Sequence, residues 1–174
     1  MTAPCILRPI RPADDAAMAA IIREVMTAHG ASGPGFAIHD AEVDGMSAAY
    51  AGPGAGYYVV EHDGTVLGGA GFARLHGTAP ADGVCELRKM YFLPAARGQG
   101  LGRAMLALLL DAMRQAGYRR CYLETTGSMQ AAQRLYRAAG FAPQAPRRPQ
   151  GDGSDRVHGF MVPDLRRWTH DARR

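Results

Sequence analysis

The chain has 174 residues, 47% of them apolar and 21% charged, and a formal net charge of +4. That length suits one domain with a core of its own. No segment approaches the ~20 apolar residues of a membrane-spanning helix, and the N-terminus lacks the basic-then-apolar order of a secretory signal. The positive surplus is small and comes without basic–aromatic interleaving or zinc-finger spacing, which argues against nucleic acid as the partner.

In chain order, Ile6-Leu7-Arg8 reads as a short strand, and Pro12-Ala13-Asp14-Asp15 as a helix start with acidic first-turn residues. Met18, Ile21, Ile22 and Val25 recur at helical spacing and predict a helix near 13–28. Residues 29–39 form a Gly-rich loop, and a weaker helix is expected at about 40–50, before the Gly52-Pro53-Gly54 break. The runs 57–61 and 65–72 flank Asp63-Gly64, a hairpin signal. Gly68, Gly69 and Gly71 within the second run predict a bulge or a close backbone approach. After the Pro80-Ala81-Asp82-Gly83 turn, a third antiparallel strand is expected at roughly 83–92.

A helix from about 100 to 116 follows, with Leu101, Met105, Leu108 and Ala112 as its inner stripe and Gly117 as its cap. Residues 120–124 then read as a strand, 129–139 as a helix closed by Gly140, and Phe141-Ala142 as the start of a late strand. A Pro/Arg-rich loop at 143–155 precedes a last strand near 157–162, and 168–174 form a polar tail, helical or frayed. Cys5, Cys85 and Cys121 are odd in number and widely spaced, so no disulfide framework or zinc site is expected, and a reducing cytoplasm is the simplest compartment. Cys85 and Cys121, in strand runs, read as small buried hydrophobes. None of the six histidines shows i, i+4 ligand spacing, so no metal is expected.

The densest chemistry lies at 86–103, Glu-Leu-Arg-Lys-Met-Tyr-Phe-Leu-Pro-Ala-Ala-Arg-Gly-Gln-Gly-Leu-Gly-Arg. A strand-like run stops at Pro94, and Arg97-Gly98-Gln99-Gly100-Leu101-Gly102 opens the amphipathic helix. Glycines let the backbone approach a ligand, and the N–H groups and positive dipole end of a helix start favour phosphate, as do Arg97 and Arg103. A Walker loop would need Lys and then Ser or Thr after the last glycine, whereas Arg103-Ala104 follows Gly102. The dinucleotide fingerprint needs G-x-G-x-x-G, whereas Gly98, Gly100 and Gly102 are spaced two apart. Arg-x-x-Gly-x-Gly, made by Arg97, Gly100 and Gly102, is what fits; the plain alternative is a Gly-rich turn that only caps a helix.

That pattern resembles the acetyl-CoA loop of the GNAT acetyltransferase superfamily. Ala132-Gln133-Arg134-Leu135-Tyr136-Arg137-Ala138-Ala139-Gly140-Phe141 resembles the family's Ala-x-x-Leu-Tyr-x-x-x-Gly-Phe signature, and the order β-α-α-β-β-β-α-β-α-β-β is the family's order. The resemblance covers nearly the whole chain; the first fifty residues agree only in outline. It implies an α/β (α+β) fold, with a mixed, mostly antiparallel twisted sheet of six or seven strands flanked by about four helices. It implies a single domain over 1–174 with a coenzyme A-binding core at about 84–142. Acetyl-CoA is the implied co-substrate, its pyrophosphate held by Arg97, Gly98, Gln99, Gly100, Leu101, Gly102 and Arg103. The pantetheine arm would hydrogen-bond the backbone of Met90, Tyr91 and Phe92, where a backbone N–H would also polarise the thioester carbonyl.

The implied reaction is direct attack of a primary amine on the thioester in a ternary complex. The amine must lose a proton to attack, and the leaving thiolate gains from a proton donor. The resemblance places that donor at Tyr136; the other reading is a Tyr packed for its ring. For the base, Glu124 and Glu86 are both candidates, as are water-mediated transfer and no dedicated base, and either carboxylate could instead pair with Arg88 or Lys89. Alternation puts Arg120, Tyr122 and Glu124 on one sheet face and Cys121 and Leu123 on the other. The chain departs from many relatives at Met129, where an Asn would contact the pantetheine; Thr125, Thr126 and Ser128 lie close enough in sequence to offer a hydroxyl. His29 and His39 lie in or beside a loop that would border the acceptor cleft, as substrate contacts or solvated positions. A small-molecule amine is the expected acceptor, with a protein N-terminus or lysine, or a non-catalytic acyl-CoA sensor, as alternatives, and nucleic-acid binding through the basic 143–156 loop as a third option. The sequence is compatible with a homodimer.

Overall fold

The computed structural model describes residues 4–147 and 157–168. Strand β1 (Ile6–Pro9) leads through a 3-10 turn into helix α1 (Asp15–Ala28), and 3-10 turns at Ala37–His39 and Ala41–Gly45 lead into the single turn of α2 (Met46–Ala49). There follow β2 (Gly56–His62), β3 (Thr65–Arg74), β4 (Val84–Phe92), α3 (Leu101–Gln115), β5 (Arg120–Thr126), α4 (Gln130–Ala138), β6 (Ala142–Gln144) and β7 (Val157–Val162). The strands form a seven-stranded sheet in the order β1-β2-β3-β4-β5-β7-β6. β4 and β5 run parallel, while β1–β2, β2–β3, β5–β7 and β6–β7 are antiparallel. The mixed, mostly antiparallel sheet with four α-helices is the fold class expected from the sequence.

Local chemistry accounts for most boundaries. Asp63 and Gly64 both have positive φ, 48° and 75°, as a two-residue type I′ hairpin requires. The register passes from Val60↔Gly68 to Glu61↔Val66, so Leu67 is an extra residue on β3, and the bulge foreseen from the glycines sits beside Gly68. The expected helix at 40–50 is mostly 3-10, because Gly45, at φ −146° and ψ 49°, interrupts it just before α2. Helix α3 ends where Gly117, at φ 90°, lets the Tyr118 N–H donate back to the Met113 carbonyl at 3.1 Å.

The inner stripe of α3 differs from expectation. Leu101, Met105, Leu106, Leu109, Leu110 and Met113 are its buried residues, whereas Leu108 and Ala112 are half-buried. Ala104 to Leu110 is apolar without interruption, so the 3.6-residue period there cannot be fixed from sequence.

The chain divides into two compact units, 1–73 with 88–105, and 74–87 with 106–174. In the first, Met18, Ile21, Ile22 and Val25 of α1 cluster with Val43, Met46, Tyr50, Tyr57, Val59 and Val66. Full burial of a side chain such as Met18 or Ile22 contributes about 1.5–3 kcal/mol. In the second, Leu75, Val84 and Tyr122 form a cluster with Met161 against it. Cys85 and Cys121 face each other across β4 and β5, both 0% exposed, and burial pushes the Cys121 thiol well above its ordinary value. They are small core residues, as expected.

A half-buried ion network closes the start of α1. Arg8 donates from Nη1 and Nη2 to Asp14 Oδ2 and Oδ1 at 2.7 and 2.9 Å, and from Nε to Glu61 Oε2 at 2.6 Å. Asp14 Oδ2 also accepts from the Arg11 N–H at 2.7 Å. The Arg8 guanidinium, then that backbone donor, hold the Asp14 carboxyl below the usual range against the opposing effect of burial. A folded-state pKa below the unfolded one contributes stability above the unfolded value, which is lost as pH falls through the folded value. Asp14→Asn should therefore lower Tm at pH 7, and the gap between variant and parent should close on acidification below the usual carboxylate range. A gap independent of pH would reject this.

Candidate functional site

In the first unit, β4 ends in a loop that the sequence marks with glycine and arginine. Pro94–Ala96 make a 3-10 turn, the Arg97 N–H donates to the Pro94 carbonyl at 3.0 Å, and α3 begins at Leu101. Gly98 and Gly100 have φ of 74° and 73°, a left-handed backbone that glycine adopts without penalty. A Cβ built on either meets nothing within 4 Å, so open space lies over the loop. The Ala104 N–H is bonded to the Gly100 carbonyl at 3.0 Å, so the amides of Leu101, Gly102 and Arg103 belong to the helix's opening turn. Arg97 and Arg103 are exposed, with Arg97 Nη2 3.4 Å from the Phe92 carbonyl. Gln99 is fixed by donation from Nε2 to the Ala95 carbonyl at 2.7 Å. Leu101 is buried and anchors the helix start. Exposed cations, first-turn amides and a cradle without side chains are a donor set that suits pyrophosphate.

Immediately before the loop, β4 is not a regular strand. Lys89 has φ 49°, a left-handed conformation uncommon for any residue but glycine. Its backbone carbonyl accepts from Tyr57 Oη at 2.7 Å. Its ammonium, on a side chain only 5% exposed, lies 2.6 Å from Asp40 Oδ2 and 2.7 Å from Glu42 Oε1. Glu42 Oε1 also accepts from Tyr50 Oη at 2.8 Å. Although burial alone would raise it, hydrogen bonding and charge from Lys89 and the Tyr50 hydroxyl hold the Glu42 carboxyl below its ordinary value. Lys89 thus pairs with the 40–42 segment, not with Glu86 or Glu124 as one sequence reading allowed. Met90, Tyr91 and Phe92, the expected arm-binding positions, follow the irregularity directly and are half-buried.

In the second unit Glu86 on β4 stands in register with Tyr122 on β5, two residues before Glu124. Tyr122 Oη donates to Glu124 Oε1 at 2.6 Å, as the alternation on β5 predicted when it put both on one face. The Arg147 N–H reaches the same Glu124 oxygen at 2.6 Å and Tyr122 Oη at 2.8 Å, and Arg147 Nη2 donates to the His76 carbonyl at 3.1 Å. Glu124 is therefore tied into a hydrogen-bonded group that holds the end of the described part of the 143–156 loop; residues 148–156 lie outside the described residues. Burial, then the bond to Glu124, pushes the Tyr122 phenol well up, so it stays a neutral donor.

Tyr136, on α4, is 5% exposed, its ring tilted against Phe141 at 5.8 Å and Phe160 at 6.5 Å between centroids. Gln133 fixes the helix to the strand before it, donating to the Thr126 carbonyl at 3.0 Å. Met129 stands at the N-cap of α4, while Thr126 and Ser128 bond each other through their hydroxyls at 3.2 Å. His39 Nε2 lies 2.9 Å from the Ser32 carbonyl, so a loop contact occupies it.

The sequence reading missed Tyr57, Tyr50, Asp40 and Glu42 around Lys89, and Arg147 beside Glu124. A signal for Tyr57 was present in the glycines of β3, read as a close approach without its partner. Among the described residues, no group of three or more His, Cys, Asp and Glu could hold a metal, and no helix is long and apolar enough to cross a membrane.

Comparison with known proteins gives this geometry its family. Residues 22–141 match the Acetyltransferase (GNAT) family. The chain is 39% identical over 137 residues to the uncharacterized N-acetyltransferase YjgM of Escherichia coli K12, a match covering 78% of this chain and 81% of that protein. Among solved structures, it resembles a GNAT superfamily phosphinothricin acetyltransferase from Sinorhizobium meliloti in complex with acetyl-CoA, with a TM-score of 0.74, 25% identity, and coverage of 94% of this chain and 89% of that one. The fold is also that of yncA, a putative acetyltransferase from Salmonella typhimurium with acetyl-CoA, at TM-score 0.73 and 24% identity over 94% of this chain and 95% of that one. The matched span takes in both the Arg97–Gly102 loop and the Leu135-Tyr136 to Gly140-Phe141 signature, so the chain belongs to the GNAT acetyltransferase family.

Proposed function

We propose that this protein transfers the acetyl group of acetyl-CoA to a primary amine of a small molecule. The observation that carries the reading is the 97–103 loop. Its two left-handed glycines, with open space over their Cβ positions, stand at the start of a fifteen-residue helix beside two exposed arginines. In this reading Arg97, Gly98, Gln99, Gly100, Leu101, Gly102 and Arg103 hold the pyrophosphate, and the backbone of Met90, Tyr91 and Phe92 holds the pantetheine arm. Acetyl-CoA, when bound, supplies an activated acyl group as a thioester.

The residues of this chain then have three tasks. The Met90 N–H donates to the carbonyl oxygen as it gains charge. Glu124 or Glu86, directly or through water, takes the proton that the incoming ammonium must lose. Tyr136 Oη gives a proton to the sulfur as the C–N bond forms and the C–S bond breaks, and regains one from the nitrogen as it becomes an amide, while the proton held by the carboxylate passes to solvent. Glu124 already accepts from Tyr122 and Arg147, bonds that fix where its carboxylate stands. Similarity to an enzyme named for phosphinothricin supports a small amine acceptor. Three free cysteines suit a reducing, cytoplasmic setting.

The test is thiol release from acetyl-CoA across a panel of polyamines, amino acids and peptides, with pH–rate profiles of Glu124→Gln and Glu86→Gln on the best acceptor. The base should be the residue whose replacement removes the rising acidic limb. Tight acetyl-CoA binding without release for any acceptor would sink the transferase reading in favour of a sensor. Selective release with peptides would move the acceptor to protein.

A further inference from the structure

Gly69 and Gly71 of β3 and the odd conformation of Lys89 meet at one side chain, Tyr57. A Cβ on Gly69 would fall 2.7 Å from Tyr57 Cε1, and one on Gly71 would overlap Tyr57 Cδ2. The Tyr57 ring therefore lies flat across β3, in a lane that only glycine leaves open, and its hydroxyl emerges at β4. There it donates to the Lys89 carbonyl at 2.7 Å, with the residue 2% exposed and its ring tilted against Tyr50 at 5.3 Å. Lys89 is gripped at both ends, its carbonyl by Tyr57 and its ammonium by Asp40 and Glu42, and this grip holds a backbone at φ 49° that a lysine rarely adopts.

The Lys89 carbonyl and the Met90 N–H belong to one peptide unit. In a trans peptide the two point in opposite directions. A hydroxyl that fixes the carbonyl therefore fixes the N–H, facing away from Tyr57. We infer that the Tyr57 hydroxyl is a positioning group that orients the Lys89–Met90 peptide so that the Met90 N–H is presented to the acyl oxygen. The inference rests on the reading of Met90 as that donor. Burial raises the Tyr57 phenol well above its ordinary value, so it remains a neutral donor across the working pH range. Tyr57 touches neither reactant; it acts through the peptide.

Tyr57→Phe keeps the ring in its lane and removes only the donor. Expected are a fall in kcat of about tenfold to a hundredfold, as for a misaimed oxyanion donor, and a KM and Kd for acetyl-CoA within about threefold of the parent, because the pyrophosphate loop is untouched. In protein labelled with ¹⁵N-methionine, the Met90 amide resonance should move on substitution, and its displacement by acetyl-CoA should shrink. A folded variant with unchanged kcat and an unmoved Met90 amide overturns the inference, even with a lowered Tm, because a merely structural hydroxyl would give that result. If Tyr57→Phe does not fold, 3-fluorotyrosine at position 57, a more acidic donor on the same ring, must move the Met90 amide, and an unmoved resonance overturns the inference equally. A parent that acetylates no amine while its Met90 amide responds to both Tyr57→Phe and acetyl-CoA supports the orientation and removes the transfer reading alone. A Met90 amide indifferent to acetyl-CoA in the parent overturns the donor assignment and this inference with it.

Discussion

Gly100→Val is expected to remove measurable acetyl-CoA binding, a loss of at least about a hundredfold by calorimetry. Two effects add. A left-handed backbone costs an L-residue about 1–2 kcal/mol, and a β-branched side chain at φ 73° is a stronger outlier. The new methyl groups would also fill the open space over the loop, so the amides of the first turn of α3 could no longer meet an anion. The second effect separates a site from a cap. A capping glycine replaced by valine lowers stability, whereas a phosphate-cradling glycine loses the ligand in protein that is still folded. Gly52→Ala, at a glycine of ordinary φ with nothing within 4 Å of the new Cβ, is the matched control and should bind as the parent does. Normal affinity in Gly100→Val would return the loop to the role of a helix cap.

Tyr136→Phe should lower kcat about a hundredfold with Kd for acetyl-CoA unchanged, the span expected when a positioned proton donor is lost. The ring is what Phe141 and Phe160 contact, and phenylalanine keeps it, so the fold should survive. Rapid-quench measurement of a single turnover isolates the chemical step from product release. An unchanged turnover would mark Tyr136 as a packed ring, the alternative that its aromatic surroundings support. A matched loss of binding and rate would instead point to a role in holding the arm.

The elements were legible where a local rule has few exceptions. Asp63-Gly64 between two strand-like runs named its hairpin, Gly117 and Gly140 stopped their helices at φ 90° and 94°, and the strand expected near 157–162 is Val157–Val162. The anion loop was legible for the same reason, since its glycines are required by backbone conformation at named positions. The inner face of α3 was not, because an unbroken apolar run carries no period. Nor was the Lys89 cluster. Asp40, Glu42, Tyr50 and Tyr57 approach Lys89 from segments up to 49 residues away, and no periodicity or spacing encodes a contact made by tertiary folding. Lys89 itself reads as an ordinary strand residue, and its positive φ is imposed by the groups that hold it. Arg147 escaped for a related reason: it meets Glu124 through its backbone N–H, which every residue except proline possesses.

The three thiols make the protein its own gauge of opening. Cys5 is partly exposed, whereas Cys85 and Cys121 lie fully enclosed on facing positions of β4 and β5. A thiol reagent in excess therefore finds one sulfur in the native state and three once those strands separate. Because the hidden pair bridges the sheet's parallel junction, the slow phase of labelling times the parting of β4 from β5. It does so without a dye, a label or an introduced residue. Any assay that counts released thiols carries a fixed background of one per chain, and a rise above one during storage measures how much protein has opened.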